Sequence, residues 1–222
     1  MTLKDDAISL HRMLRGKTEI RSRVSLDNAS GEKGTLGLIY TPGVAYVALE
    51  IGKDKKLAYD YTSKWNNVAI VCDGTRVLGL GNIGPEGALP VMEGKSVLFK
   101  ALGDINAIPL CINTQDKEEI IRFVKIIQPN FGAINIEDIE SPKVLEIVER
   151  LSKEVSIPIF HDDQHGTAII TLAALINALK LVKKQLQTVR VVISGSGSAG
   201  YGIFKILQTA GCKDINVVDT KG

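Results

Sequence analysis

The stretch Ile159-Phe160-His161-Asp162-Asp163-Gln164-His165-Gly166-Thr167-Ala168 decides how the rest of the chain is read. A short apolar run, Ile157 to Phe160, ends in two adjacent carboxylates. A long apolar helix pattern, Thr167 to Val182, begins directly after them. A strand that delivers acids to a strand–helix junction is building a site, because open α/β sheets bind ligands at such junctions. A second acidic pair, Glu137-Asp138, follows another apolar run, Gly132 to Ile136.

Working outward, the same pattern recurs. Ala107 to Ile112 reads as a strand. Asp116 caps the next helix, with Glu119 three residues on, much like a capping box. Ile120, Ile121, Val124 and Ile127 form that helix's buried stripe. Ser141-Pro142 opens another helix that ends near Glu154. Strand, helix, strand, helix, strand with short connections implies a parallel sheet with right-handed crossovers. Glu137-Asp138 and Asp162-Asp163 then leave one carboxyl edge of that sheet. Acids that close repel unless a cation sits between them. Mg²⁺ or Mn²⁺ suits hard oxygen donors. The competing reading is two solvated acidic helix caps, which helix N-termini favour anyway. Zinc is disfavoured, because His161 and His165 do not make a tight N/S constellation.

Toward the N-terminus, Leu3 to Leu14 has helical spacing, and Arg12 to Arg23 is a basic segment, read as a solvated turn. Asp27 to Gly34 reads as a mobile loop. Leu36 to Tyr40 reads as a strand, and Thr41-Pro42 as the start of a helix that Gly52 ends. Asn67 to Cys72 is a buried strand, followed by an Asp73-Gly74 turn and a second apolar strand, Arg76 to Leu80. Arg76 is either a structural ion-pair member or a fork for a carboxylate. Pro85 to Leu102 is a helix that places Lys95 beside Leu89, Met92 and Phe99. Such a lysine either snorkels to solvent or, partly buried, has a lowered pKa and serves as a base.

Toward the C-terminus, Val189 to Ser194 reads as a strand. Gly195-Ser196-Gly197-Ser198-Ala199-Gly200 follows and opens a helix, Tyr201 to Ala210. The next strand, Ile215 to Val218, ends in Asp219, 24 residues after Gly195. That is G-x-G-x-x-G in its strand–helix–strand setting, a dinucleotide fingerprint. The glycines let a pyrophosphate meet the helix N-terminus. Asp219 suits a ribose diol and so NAD, while Lys221 leaves NADP open.

Composition excludes more than it selects. A net charge of +2 gives no reason to invoke nucleic acid or an anionic membrane surface. No apolar leader opens the sequence, Asn177 and Lys180 interrupt the longest apolar pattern, and no membrane span is expected. Three scattered cysteines, Cys72, Cys111 and Cys212, read as free thiols in a reduced, cytoplasmic setting.

Five motifs in order resemble the malic enzyme family in its short prokaryotic form. They are Tyr40-Thr41-Pro42-Gly43-Val44-Ala45, Asp73 to Gly81, Glu93-Gly94-Lys95, Ile136-Glu137-Asp138 and His161 to Thr167. The resemblance implies an NAD- or NADP-dependent, metal-dependent oxidative decarboxylation of L-malate to pyruvate and CO₂. It implies Glu137, Asp138 and Asp163 as ligands of Mg²⁺ or Mn²⁺, and Lys95 as base with Asp162 orienting it. Tyr40 would protonate the enol carbon and Arg76 would clamp a carboxylate. The residues Gly195, Ser196, Gly197, Ser198, Ala199, Gly200 and Asp219 would hold the dinucleotide. A homodimer is implied, with Tyr40 or Lys95 available for donation across it. The expected organisation is α/β: a parallel-sheet substrate and metal domain over 1–164, then a linking helix and the start of a Rossmann domain over 165–222. Two other readings stay open: a truncated, non-catalytic metal- or nucleotide-binding fragment, and another metal-dependent 2-hydroxy-acid dehydrogenase or decarboxylase. Because the family chain is longer, the sequence reads as truncated inside the Rossmann domain, and its last 38 residues, Gln185 to Gly222, as too few for a core of their own.

Overall fold

The computed structural model describes residues 2–26 and 34–220. Most of the loop expected at Asp27 to Gly34, and Lys221, lie outside the described residues. The N-terminal helices are α1 (Leu3–Leu14), α2 (Thr35–Ile39), α3 (Val44–Lys53) and α4 (Ala58–Tyr61). The sheet elements then follow in order: β1 (Asn67–Cys72), α5 (Gly84–Gly103), β2 (Asn106–Cys111), α6 (Lys117–Ile127), β3 (Ala133–Glu137), α7 (Lys143–Glu154) and β4 (Ile159–His161). After them come α8 (Thr167–Leu181), β5 (Arg190–Ser194), α9 (Ser198–Thr209) and β6 (Asp214–Val218).

The four strands pair in parallel in the order β2-β1-β3-β4. Ala69, Val71, Ile134 and Ile136 face α6 and α7, whose buried stripes are Ile120, Ile121 and Val124, and Ile147, Val148 and Leu151. On the other face Ile70 and Cys72 meet Ala88 and Met92 of α5. Strand β2 lies on one side of β1, and the chain then crosses back to β3 on the other. The sheet is therefore doubly wound, and its switch point falls between the carboxyl ends of β1 and β3, where a ligand crevice opens.

Register fixes what stands at that edge. Cys72 pairs with Glu137, and Ile136 with His161. The next residues along are Asp73 and Asp138 beyond the first pair, and Glu137 and Asp162 beyond the second, so the acids leave the sheet at one edge.

The C-terminal part pairs β5 and β6 in parallel as the first two strands of a Rossmann unit. Its small core, Ile193, Leu207 and Cys212, is completed by Leu172 and Leu175 of α8. The last 38 residues thus borrow the linking helix, which supplies the apolar area they lack.

Two expected strands are absent. Leu36 to Tyr40 is mostly helix α2: having no neighbouring strand to pair with, its backbone satisfies its own donors, and Tyr40 N–H reaches Leu36 O at 3.0 Å. Gly43 N–H donates to Gly37 O at 2.8 Å, and a Cβ at Gly43 would stand only 2.6 Å from that oxygen. Arg76 to Leu80 is an open loop with a single antiparallel bridge, Val77 to Gly81. Leu78 sits there at φ 51°, which a strand does not tolerate. The basic segment is also less free than expected, since the Lys17 ammonium donates to Pro90 O at 2.7 Å on α5.

Candidate active site

Lys95, on α5, points across the switch point. Its Nζ lies 2.6 Å from Asp162 Oδ2 and 3.0 Å from Glu137 Oε1. The side chains of Lys95 and Glu137 are 25% and 8% exposed, so water screens the pair weakly. Burial pulls the Lys95 pKa down, but the hydrogen bond to Asp162 and the charge of Glu137 outweigh it, and the net direction is up. The sequence expectation of a lowered pKa is therefore corrected: Lys95 stands here as an ammonium.

The acids behave oppositely. Burial raises Glu137, against the pull of its Asn135 hydrogen bond and of Lys95. Burial, then the charges of Glu137 and Asp163, push Asp138 up to about 6. Asp138 Oδ2 is buried without a hydrogen-bond partner. Glu137, Asp138 and Asp163 thus share one edge, and Asp138 feels the charge of the other two. They do not close: among the described residues, no three His, Cys, Asp or Glu side chains converge as a ready-made metal cage. The ammonium of Lys95 sits beside Glu137 and supplies positive charge there. An orphaned buried oxygen on Asp138, whose carboxyl is pushed up by burial and by its acidic neighbours, beside other hard oxygen donors, fits a divalent cation such as Mg²⁺ or Mn²⁺.

A cleft of about 400 Å³ joins the two parts of the chain, lined by Arg76, Asp138, Asp163, Gly195, Gly197 and Gly200 among others. The glycine-rich loop therefore faces the acidic edge. Ser198 and Ala199 line the cleft too; Ser196 and Asp219 do not, Asp219 lying just beyond β6. Arg76 is exposed at the cleft wall, and among the described residues its side chain is in no ion pair.

Tyr40 is not brought in. It is 65% exposed, and among the described residues no hydrogen bond links it to Lys95 or the acids. It lies on an uncovered apolar face with Leu38, Ile39, Tyr46 and Leu49. By length and composition Thr35–Lys53 passes for a membrane span, at a mean hydropathy of 1.2. The helix breaks at Tyr40 (φ −129°, ψ −124°), however, and the ten residues of α3 reach only about 15 Å, half the thickness of a hydrocarbon core.

Three features escaped the sequence reading. Asn135, 1% exposed, donates through Nδ2 to Glu137 Oε1 at 2.8 Å; a polar residue two before Glu137 in an apolar strand was the available signal. Asp162–Gly166 forms a π-helical turn, a feature frequent at functional sites and without a sequence signature. Gly202 packs on that turn: a Cβ there would stand 2.2 Å from Gln164 O.

Comparison with known proteins gives the family. Residues 16–122 match the family model for the malic enzyme N-terminal domain, and residues 164–219 match that for the malic enzyme NAD-binding domain. The acidic corners fall between the two matches. A bifunctional malic/malolactic enzyme of Bacillus subtilis is 51% identical over the whole chain, which spans 53% of that protein. An NADP-dependent malic enzyme of Haemophilus influenzae is 43% identical over 99% of the chain, which spans 29% of it. The crystal structure of NAD-dependent malic enzyme from Thermotoga maritima superposes with a TM-score of 0.91 at 52% identity, over 98% of this chain and 56% of that one. The chain spans about half the length, or less, of the curated relatives it matches. Two family models covering most of the chain, and a common fold at this identity, agree: the chain belongs to the malic enzyme family.

Proposed function

We propose that this chain carries the metal, substrate and dinucleotide edge of an NAD(P)-dependent malic enzyme that converts L-malate to pyruvate and CO₂. The observation that carries the reading is the Lys95 ammonium held between Glu137 and Asp162, whose chain neighbours Asp138 and Asp163 line a cleft with the glycine-rich loop on its other side. In this reading residues 1–164 supply the chemistry and 165–222 the dinucleotide cradle, and the setting is cytoplasmic.

Each residue has a physical task. Glu137, Asp138 and Asp163 hold a divalent cation through hard oxygens. Bound there, the cation supplies Lewis acidity and positive charge that offsets the carboxylates now raising Lys95, while a nicotinamide supplies a hydride acceptor. Lys95, once uncharged, takes the proton from the C2 hydroxyl of malate. Asp162 fixes the direction of the amine. Arg76 binds a substrate carboxylate with its planar fork. Gly195 to Gly200 let a pyrophosphate approach the start of α9, and Asp219 accepts from a ribose hydroxyl.

Tyr40 is the proton donor to the enol carbon in this scheme, and it is supplied by a second copy. The uncovered apolar face around it is what such a homodimer would bury.

The test is reduction of NAD⁺ and NADP⁺ by the chain with L-malate and Mn²⁺ or Mg²⁺, beside a panel of other 2-hydroxy acids. Turnover with malate, lost on removal of the cation, is expected. Tight binding of cation and nucleotide without turnover of any acid would reassign the chain as a binding fragment. Turnover of a different acid would reassign the substrate.

A further inference from the structure

Behind the acidic edge, one buried carboxylate ties together the two loops that carry Arg76 and Asp138. Asp73, just past β1, is 1% exposed and so cannot touch a substrate. Its Oδ1 accepts from Thr75 N–H at 3.0 Å and from the Thr75 hydroxyl at 2.6 Å. Its Oδ2 accepts from Lys143 Nζ at 2.8 Å, and Lys143 also donates to Gln115 O at 3.0 Å. The Thr75 oxygen in turn accepts from Glu140 N–H at 2.8 Å. One residue on, Arg76 N–H donates to Asp138 O at 3.1 Å.

The consequence is a bridge. The loop 73–76 leaves β1 and the loop 138–140 leaves β3, on either side of the switch point; the first is fastened directly to the Asp73 carboxylate and the second to it through the Thr75 hydroxyl. Because the Thr75 hydroxyl donates to Asp73, its lone pairs are turned toward Glu140, which fixes the direction of the link. Asp138 needs such support: at φ 49° it occupies the left-handed region that a non-glycine side chain avoids. A backbone held there aims the Asp138 carboxylate at the cleft rather than along the strand.

We propose that Asp73, Thr75 and Lys143 are positioning residues that set Asp138 and Arg76 against one another, so that cation and substrate are gripped in one fixed geometry. The proposal rests on the cation reading above for its consequence, but its geometry stands without it.

The experiment compares the wild-type chain with Thr75→Val, which keeps the shape and the Asp73–Lys143 ion pair and removes only the hydroxyl link. Lys143→Met and Lys143→Arg extend the series at the other end. Amide hydrogen exchange is followed at Arg76 and Glu140, with Ile134 and Ile136 of β3 as internal reference. Binding of Mn²⁺ alone is measured in parallel by the loss of the free-ion paramagnetic signal.

In Thr75→Val the Arg76 and Glu140 amides should exchange at least tenfold faster while those of β3 are unchanged, and the Mn²⁺ dissociation constant should rise about tenfold. Lys143→Arg should fall between wild type and Lys143→Met. Unchanged exchange at Arg76 and Glu140 would overturn the proposal, as would acceleration in step with β3, the mark of a merely structural ion pair. Exchange that responds while Mn²⁺ affinity does not would overturn the positioning of the cation. A wild-type chain that binds no Mn²⁺ would remove the cation reading, and the exchange comparison would still decide the bridge.

Discussion

Lys95 Nζ lies 2.6 Å from Asp162 Oδ2, and that hydrogen bond, with the charge of Glu137, keeps the lysine charged against the downward pull of burial. Replacing Asp162 by Asn removes a charge and keeps the shape. The Lys95 pKa should then fall, and with it the basic-side requirement for deprotonating the amine. In the pH profile of kcat/KM for malate, the limb assigned to Lys95 should move to lower pH in Asp162→Asn. An unmoved limb would place the base elsewhere.

Removing the amine itself is the sharper test. Lys95→Ala should lower kcat by about 10²–10⁴, the range of a general base, with a far-ultraviolet spectrum and nucleotide affinity near those of wild type. Near-normal turnover would refute the role given to Lys95.

Asp138 gives a pH dependence of stability. Its folded-state pKa, about 6, lies above the ordinary 3.8, because burial and the charges of Glu137 and Asp163 disfavour ionisation. Between those values the folded chain binds more protons than the unfolded one, so this residue's contribution falls as pH rises through about 6. The metal-free chain should therefore gain thermal stability in Asp138→Asn at pH 8 and gain little at pH 4. Mn²⁺ should stabilise wild type at pH 8 and the variant much less. Melting curves at the two pH values, with and without Mn²⁺, measure both effects.

These residues mark how far the sequence could be read. Strands β1 to β6 and the helices between them follow from apolar runs with acidic or glycine punctuation, because such runs bury without choice of partner. The acids at 137–138 and 162–163 were legible for the same reason, as strand ends of one parallel sheet. What failed was what depends on neighbours. Leu36 to Tyr40 has strand composition but no strand beside it. The charge state of Lys95 depends on Glu137 and Asp162, which lie 42 and 67 residues away in sequence. The position of Tyr40 depends on whatever covers α2 and α3.

Gly202 lies outside the G-x-G-x-x-G spacing, yet it packs against the turn that carries the second acidic pair. A methyl group at Gly202 would meet Gln164 O at 2.2 Å, so Gly202→Ala must push α9 away from the turn that carries Asp162 and Asp163. The cost is that of overpacking, about 1–3 kcal/mol. Nucleotide affinity and Mn²⁺ affinity should fall together in this variant. Loss of one alone, by titration of each ligand separately, would show that the glycine loop and the acidic edge are independent.

Tyr40 is where the homodimer is tested. Within one chain it lies 65% exposed beside other exposed apolar side chains, and no hydrogen bond joins it to Lys95 among the described residues. If a second copy supplies it, Tyr40→Phe and Lys95→Ala each disable both sites of a homodimer. Mixed dimers of the two variants keep one site in which neither substitution is present. Random exchange makes half the dimers mixed, with one of two sites working, so mixing equal amounts should restore up to about a quarter of wild-type activity. If instead Tyr40 serves the Lys95 of its own chain, every site in the mixture carries a defect and mixing restores nothing. Native mass spectrometry of the same mixture, which resolves the mixed dimer by its intermediate mass, separates that outcome from a failure of the subunits to exchange.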